Sequence, residues 1–172
     1  NQARTLWLAQ IRQYSGMEQV RALDALGRVT AEGVISPEAL PAFARSSVDG
    51  YAVRAADTFG ASESLPAYLR VIGEIAMGQA ALLMVSKGET ALIHTGGMLP
   101  PGTDAVIMVE HTQSFAEGEI EAMRPVAPGE NVIQMGEDVI PGAEVVPAGY
   151  RLQPQDIGAL LALGLTDGIP VV

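Results

Sequence analysis

The sequence contains no cysteine, which excludes disulfides, thiolate metal sites and a cysteine nucleophile. Basic residues are scarce. Ten Lys and Arg stand against 20 Asp and Glu, a net charge of −10, and that sign argues against nucleic acid or an anionic membrane as partner. No apolar run approaches the roughly 20 residues of a membrane-spanning helix. The opening NQARTLWLAQIRQYSG lacks the charged-then-apolar order of a secretory signal, so a cytoplasmic location is the expectation. Aromatic residues make up only 5% of the chain, which disfavours a module that stacks sugars on exposed rings. His94 and His111 are the only two histidines. Neither belongs to a two-histidine metal pattern, and no partner nucleophile completes a triad.

What is present is enough for a folded core: 48% of the 172 residues are hydrophobic and 17% charged. Nineteen glycines and 11 prolines are spread along the chain, cutting it into short elements and predicting a mainly β body with a few helices. Residues 1–16 read as an amphipathic helix, with Leu6, Ala9, Ile11 and Tyr14 near one side. Val20, Leu23 and Leu26 predict a short second helix ending near Gly27, followed by an extended segment through Val34 and Ile35. YLRVIGEI, TALIHT, AVIMVEHT and GEIEAMRPV are the strand candidates. A last helix starts at Pro154, carries Ile157, Leu160 and Leu161 on one face, and stops at Gly164. GIPVV then opens another strand.

Three short stretches could carry chemistry. In SSVDGYAVR, Asp49-Gly50 is the ordinary signal for a two-residue hairpin turn, with Tyr51 and Val53 on one face and Ala52 on the other. Asp49 is also a carboxylate flanked by Arg45 and Arg54, so turn and functional acid both stand open; Ser46 and Ser47 read as turn residues. In HTGGML, Gly96 and Gly97 either supply positive φ to a hairpin or let backbone N–H groups approach a ligand beside the Thr95 hydroxyl. In Gly136-Glu137-Asp138, adjacent acids on a turn suit a solvated loop or a hard cation such as Mg²⁺. Met77, Met84, Met98, Met108, Met123 and Met135 read as core filler.

Four stretches together point further. ALGRVTAEGV, LPAFARSSVDGYAVRAADT, IHTGGMLPPGTDAVIMVEHT and GENVIQMGEDVIPGAEVVPAGYRLQPQDIGALLALG resemble, in order, the N-terminal and linker region of the molybdopterin molybdenumtransferase family, which includes MoeA and the gephyrin E domain. The resemblance implies an elongated, two-lobed α+β fold of bifurcated and coiled sheets. Residues 17–35 and 143–172 would form one lobe and residues 36–142 a β-rich linker lobe, with the pterin- and nucleotide-binding domain absent. It implies molybdenum cofactor biosynthesis: insertion of molybdate into adenylylated molybdopterin with release of AMP, assisted by Mg²⁺, in a homodimer. By motif, Asp49, Thr95 and Asp138 are the candidate catalytic positions, and Asp49 and Asp138 the candidate metal ligands. Gly96, Gly97 and Ser47 are the candidate cofactor-binding positions. Val48, Gly97 and Met98 depart from the family pattern, and His111 sits where an acid is frequent. Since the substrates are anions and the chain is acidic, this region alone is expected to be inactive, its missing C-terminal domains supplying the offsetting charge. A non-catalytic dimerisation or scaffolding module is the alternative reading.

Overall fold

The computed structural model describes Arg4 and residues 16–172; the helix expected over residues 1–16 lies almost wholly outside the described residues. The chain divides into two compact units, Asn1–Glu38 with Val139–Val172, and Ala39–Asp138. The second is mostly β, the first mixes four short strands with a helix, and that α-helix, Pro154–Ala162, lies in the first unit. No helix there is long and apolar enough to cross a membrane.

In the first unit, β1 (Glu18–Val20) pairs antiparallel with β12 (Ile169–Val171), and β2 (Val34–Ile35) with β11 (Glu144–Val146). The helix α1 (Pro154–Ala162) begins on a proline, which lacks the N–H that a first turn leaves unpaired. The Asp156 carboxylate accepts the Gln153 N–H at 2.7 Å, and Gly164 ends the helix at φ 72°. Ile157 and Leu160 point from α1 into a core shared with Ala22, Val34, Leu152, Ile169 and Val171.

The short helix expected before Gly27 is a single 3₁₀ turn, Ala22–Asp24, preceded by β1. Long-range partners win here. The Ala22 N–H goes to Thr166 and the Gly27 N–H to Leu152, each at 2.9 Å, which leaves no helical ladder to propagate.

The second unit is built on a six-stranded sheet in the order β7-β4-β6-β5-β9-β8. Its strands are β4 (Gly50–Val53), β5 (Ala67–Ile75), β6 (Glu89–Ile93), β7 (Ala105–Met108), β8 (Thr112–Ala116) and β9 (Glu119–Ala122). The two edge strands, β7 and β8, are consecutive in sequence and joined only by Val109–His111. Six strands laid flat would hold those edges about 24 Å apart, whereas the connection reaches at most about 14 Å. The sheet therefore curls until its edges approach. Apolar side chains pack on both of its faces. Tyr51 and Val53 join Leu69, Ile107 and Ile120, while Ala52 joins Ile75, Ile93 and Val106.

A two-stranded ladder, β3 (Arg45–Ser46) with β10 (Val132–Ile133), completes the unit. Methionine contributes less than expected. Met77, Met84 and Met135 are exposed and no methionine belongs to a core cluster, because the interior is filled by small and β-branched residues that fit the pleated faces.

Candidate functional site

The sheet register creates the site. In the antiparallel β4–β6 pair, Gly50 faces Ile93, so Asp49, just before β4, meets the residues just after β6. Thr95 donates its backbone N–H to Asp49 Oδ1 at 2.8 Å and its hydroxyl to the same oxygen at 3.1 Å. These bonds, the backbone one foremost, hold the Asp49 carboxyl below its ordinary range; nearby His94 adds to the effect and partial desolvation opposes it.

Asp49-Gly50 is not a hairpin turn. Neither residue has positive φ, and Gly50 is the first residue of β4, paired with both β6 and β7. Glycine is needed there for a different reason: a Cβ would lie 2.0 Å from the Ile107 carbonyl oxygen. The acid is thus displayed at a strand end, on a backbone pressed against its neighbour.

The Thr95 turn is equally constrained. The Gly97 N–H bonds the His94 carbonyl at 2.8 Å, and Gly96 takes φ 83° at the third turn position, where an L side chain is disfavoured. Gly97 lacks positive φ; a Cβ on it would press on the His94 carbonyl at 2.9 Å. The expected hairpin is absent because β4 lies between β6 and β7. The turn is tied to β3 instead, through Gly96 N–H to the Ser46 carbonyl at 2.8 Å and Ser46 N–H to the Gly97 carbonyl at 3.0 Å.

These bonds decide what the turn offers a ligand. The N–H groups of Thr95, Gly96 and Gly97 all donate within the protein, and the Ser47 N–H donates to the Asn131 carbonyl at 3.0 Å. The Thr95 hydroxyl hydrogen is engaged by Asp49. What faces outward is acceptor chemistry: a carboxylate and the lone pairs of a hydroxyl. No ion pair among the described residues joins Arg45 or Arg54 to Asp49. Beside Gly96 lies a shallow cleft of about 130 Å³, lined by Phe43, Gly78, Gln79, Ala80, Gly96 and Met98. That is well below the roughly 300–1,000 Å³ of an enclosing ligand pocket.

Asp138 is anchored through its backbone. Its N–H donates to the Leu40 carbonyl at 2.9 Å and it is exposed. No hydrogen bond or ion pair among the described residues links it to Asp49 or Thr95. Nor do three or more His, Asp or Glu side chains converge to hold a metal among the described residues. The structure therefore joins Asp49 and Thr95 directly and shows no direct hydrogen bond or ion pair from Asp138 to them among the described residues.

Two further side chains reach this cluster. His94 Nε2 lies 2.7 Å from Glu74 Oε1 on β5, and its Nδ1 is 3.9 Å from Asp49 Oδ1. Glu74 carried no signal in the sequence: it enters only through the parallel β5–β6 pairing, which sets it opposite Leu92 just after a register shift between Val71 and Glu74.

The model of the MoeA N-terminal region (domain I and II) matches residues 1–164. The molybdopterin molybdenumtransferase of Bacillus subtilis is 37% identical over 158 residues, covering 90% of this chain and 36% of that protein. The Haemophilus influenzae protein of the same name is 35% identical over 167 residues, 97% of this chain and 40% of its own. The crystal structure of the molybdopterin biosynthesis MoeA protein from Pyrococcus horikoshii OT3 superposes with a TM-score of 0.89 at 41% identity, covering 99% of this chain and 44% of that one. The chain spans about two fifths of the length of these relatives.

Proposed function

The chain belongs to the family of the MoeA N-terminal region, and from that membership we propose that it is part of a molybdopterin molybdenumtransferase acting in molybdenum cofactor biosynthesis. The whole protein would insert molybdate into adenylylated molybdopterin and release AMP. The names of the relatives support the activity.

The observation that carries the site reading is the Asp49–Thr95 pair. It presents acceptors only, on a chain of net charge −10, while the substrates are anions. A divalent cation reconciles the two. Mg²⁺ fits this donor set, since it is commonly held by one or two carboxylates, several waters and the substrate's own phosphates, without a full protein cage. In this reading Asp49, ionised by its Thr95 bonds, holds the cation, and Thr95 fixes the carboxylate and lends its oxygen lone pairs. The cation would supply charge neutralisation for the phosphate and molybdate oxygens. The exposed Ser47 hydroxyl and the Gly96 wall of the cleft would line the approach, and Asp138 would join only through water or through the bound substrate. We place the protein in the cytoplasm as a homodimer, with the cleft covered by domains found in the longer relatives; its small volume supports a shared site.

The test is Asp49→Asn in the whole protein. AMP release from adenylylated molybdopterin should fall at least a hundredfold, a loss typical of removing an electrostatic group from a reacting centre, with the circular dichroism spectrum and oligomeric mass unchanged. A second reading, a non-catalytic scaffold, draws on the lack of a direct hydrogen bond or ion pair between Asp138 and the pair among the described residues. Undiminished AMP release by Asp49→Asn would favour it.

A further inference from the structure

We propose that Arg45 is an anion-binding residue at the cleft beside Gly96, its guanidinium taking oxygens of a phosphate group or of molybdate. The proposal rests on the reading of this site as one for anionic substrates. It starts from an unpaired charge. Arg45 is half-buried, its Nε is shut off from water without a hydrogen-bond partner, and no ion pair among the described residues engages it. A guanidinium stays charged and carries five donors and no acceptor. Acids are not scarce: the chain has 20, and they pair with Arg21, Arg28, Arg70 and Arg124. A buried donor without a partner is destabilising, and an acid set against Arg45 would have relieved it. Leaving the donors unmet keeps them for a ligand.

Strand register sets where this side chain stands. Arg45 bridges to Met98 on one side and pairs with Ile133 of β10 on the other, both antiparallel. Residues directly opposite one another on antiparallel strands share a face, so Arg45 rises on the face of Met98, a wall of the cleft. Phe43, a second wall, is two residues before it. The next residue, Ser46, is bonded to Gly96 and Gly97, which ties Arg45 and the Thr95 turn to one ladder. The acceptors of Asp49 and Thr95 thus have a donor fork near them, and a planar guanidinium matches two oxygens of a phosphate-like anion at once. Arg54, the other arginine flanking Asp49, follows β4 and lies about 17 Å along the strand from Asp49. It is the internal control.

The experiment titrates AMP, molybdate and adenosine separately into the whole protein by calorimetry, with Mg²⁺ present. Arg45→Met keeps the apolar stem and removes the charge. It should weaken binding of AMP or molybdate about tenfold or more, with adenosine affinity, Mg²⁺ affinity and melting temperature unchanged. A loss toward AMP assigns the guanidinium to the phosphate, and a loss toward molybdate assigns it to that oxyanion. Arg45→Lys, a charge without the fork, should recover only part of the affinity, and Arg54→Met should bind like wild type. Wild-type affinity for both anions in Arg45→Met overturns the proposal, as does an equal loss toward adenosine or an equal loss in Arg54→Met. Where Arg45→Met lowers the melting temperature, Arg45→Lys decides, and wild-type affinity for both anions there is equally fatal. Asp49→Asn separates the two readings. If it leaves AMP release and Mg²⁺ affinity intact while Arg45→Met weakens anion binding, the cation role of Asp49 fails and Arg45 stands. If it lowers both while Arg45→Met binds anions like wild type, only the Arg45 proposal fails.

Discussion

Thr95 donates twice to one oxygen of Asp49, at 2.8 Å from its N–H and 3.1 Å from its hydroxyl. Concentrating both bonds on Oδ1 leaves the other carboxylate oxygen without a protein partner among the described residues. It also couples the strand-end acid to the turn after β6, so neither residue moves independently of the other.

The first prediction concerns pH. Thr95 stabilises the ionised form of Asp49 and lowers its pKa from the ordinary 3.8. For a carboxyl whose folded value is depressed, the stabilisation is complete above the unfolded-state value and disappears as pH falls through the folded value. Wild type should therefore melt above Asp49→Asn at neutral pH, by a small margin because Asp49 is exposed. The two should converge as pH falls through the depressed folded value, below the ordinary carboxylate range. Melting curves at a series of pH values check this, and a gap that stays constant down to pH 2 contradicts it.

The second prediction concerns Gly50. A methyl group here would sit 2.0 Å from the Ile107 carbonyl oxygen, a contact with backbone that no rotamer relieves. Gly50→Ala should destabilise the second unit by about 3 kcal/mol or more, at the upper end of overpacking costs. Urea unfolding followed by fluorescence or circular dichroism measures it. A loss below about 1 kcal/mol would mean that β4 and β7 separate more easily than their pairing implies.

Gly158 predicts the opposite sign. It lies in the middle of α1, with nothing within 4 Å of a built Cβ. Gly158→Ala should stabilise the first unit by about 0.5–1 kcal/mol through helix propensity alone. Hydrogen exchange of the α1 amides gives a direct reading, since slower exchange should appear there and not in β4 or β6.

How much of this was legible in the sequence depends on the range of the forces involved. α1 was readable because Pro154 and Gly164 act locally, and so were β5, β6, β7 and β9, whose apolar residues mark them, whereas the exposed β8 carries no such mark. The opposite faces of Tyr51 and Ala52 followed from strand period alone. Asp49-Gly50 misled because its usual meaning is local, while here Gly50 answers to Ile107, a residue far along the chain. The short helix before Gly27 failed likewise, its N–H groups captured by Thr166 and Leu152. Asp49 and Thr95 were named by resemblance, but their contact, and the entry of Glu74 through a parallel strand, needed the sheet order.

The last prediction separates coupled from uncoupled acids. Thr95 donates to an oxygen of Asp49, whereas Asp138 donates its backbone N–H to Leu40 and has no hydrogen bond or ion pair to either among the described residues. Groups in one hydrogen-bonded unit lose function together, and groups without shared partners lose it independently. In the whole protein, Asp49→Asn combined with Thr95→Ala should therefore reduce AMP release scarcely more than Asp49→Asn alone. Asp138→Asn should multiply its own factor onto either single change. Measured rates for the three single variants and the three doubles decide the point. If Asp138→Asn adds nothing to Asp49→Asn, the two carboxylates act on one ion in the working enzyme, and a substrate or a neighbouring domain must draw Asp138 to the pair.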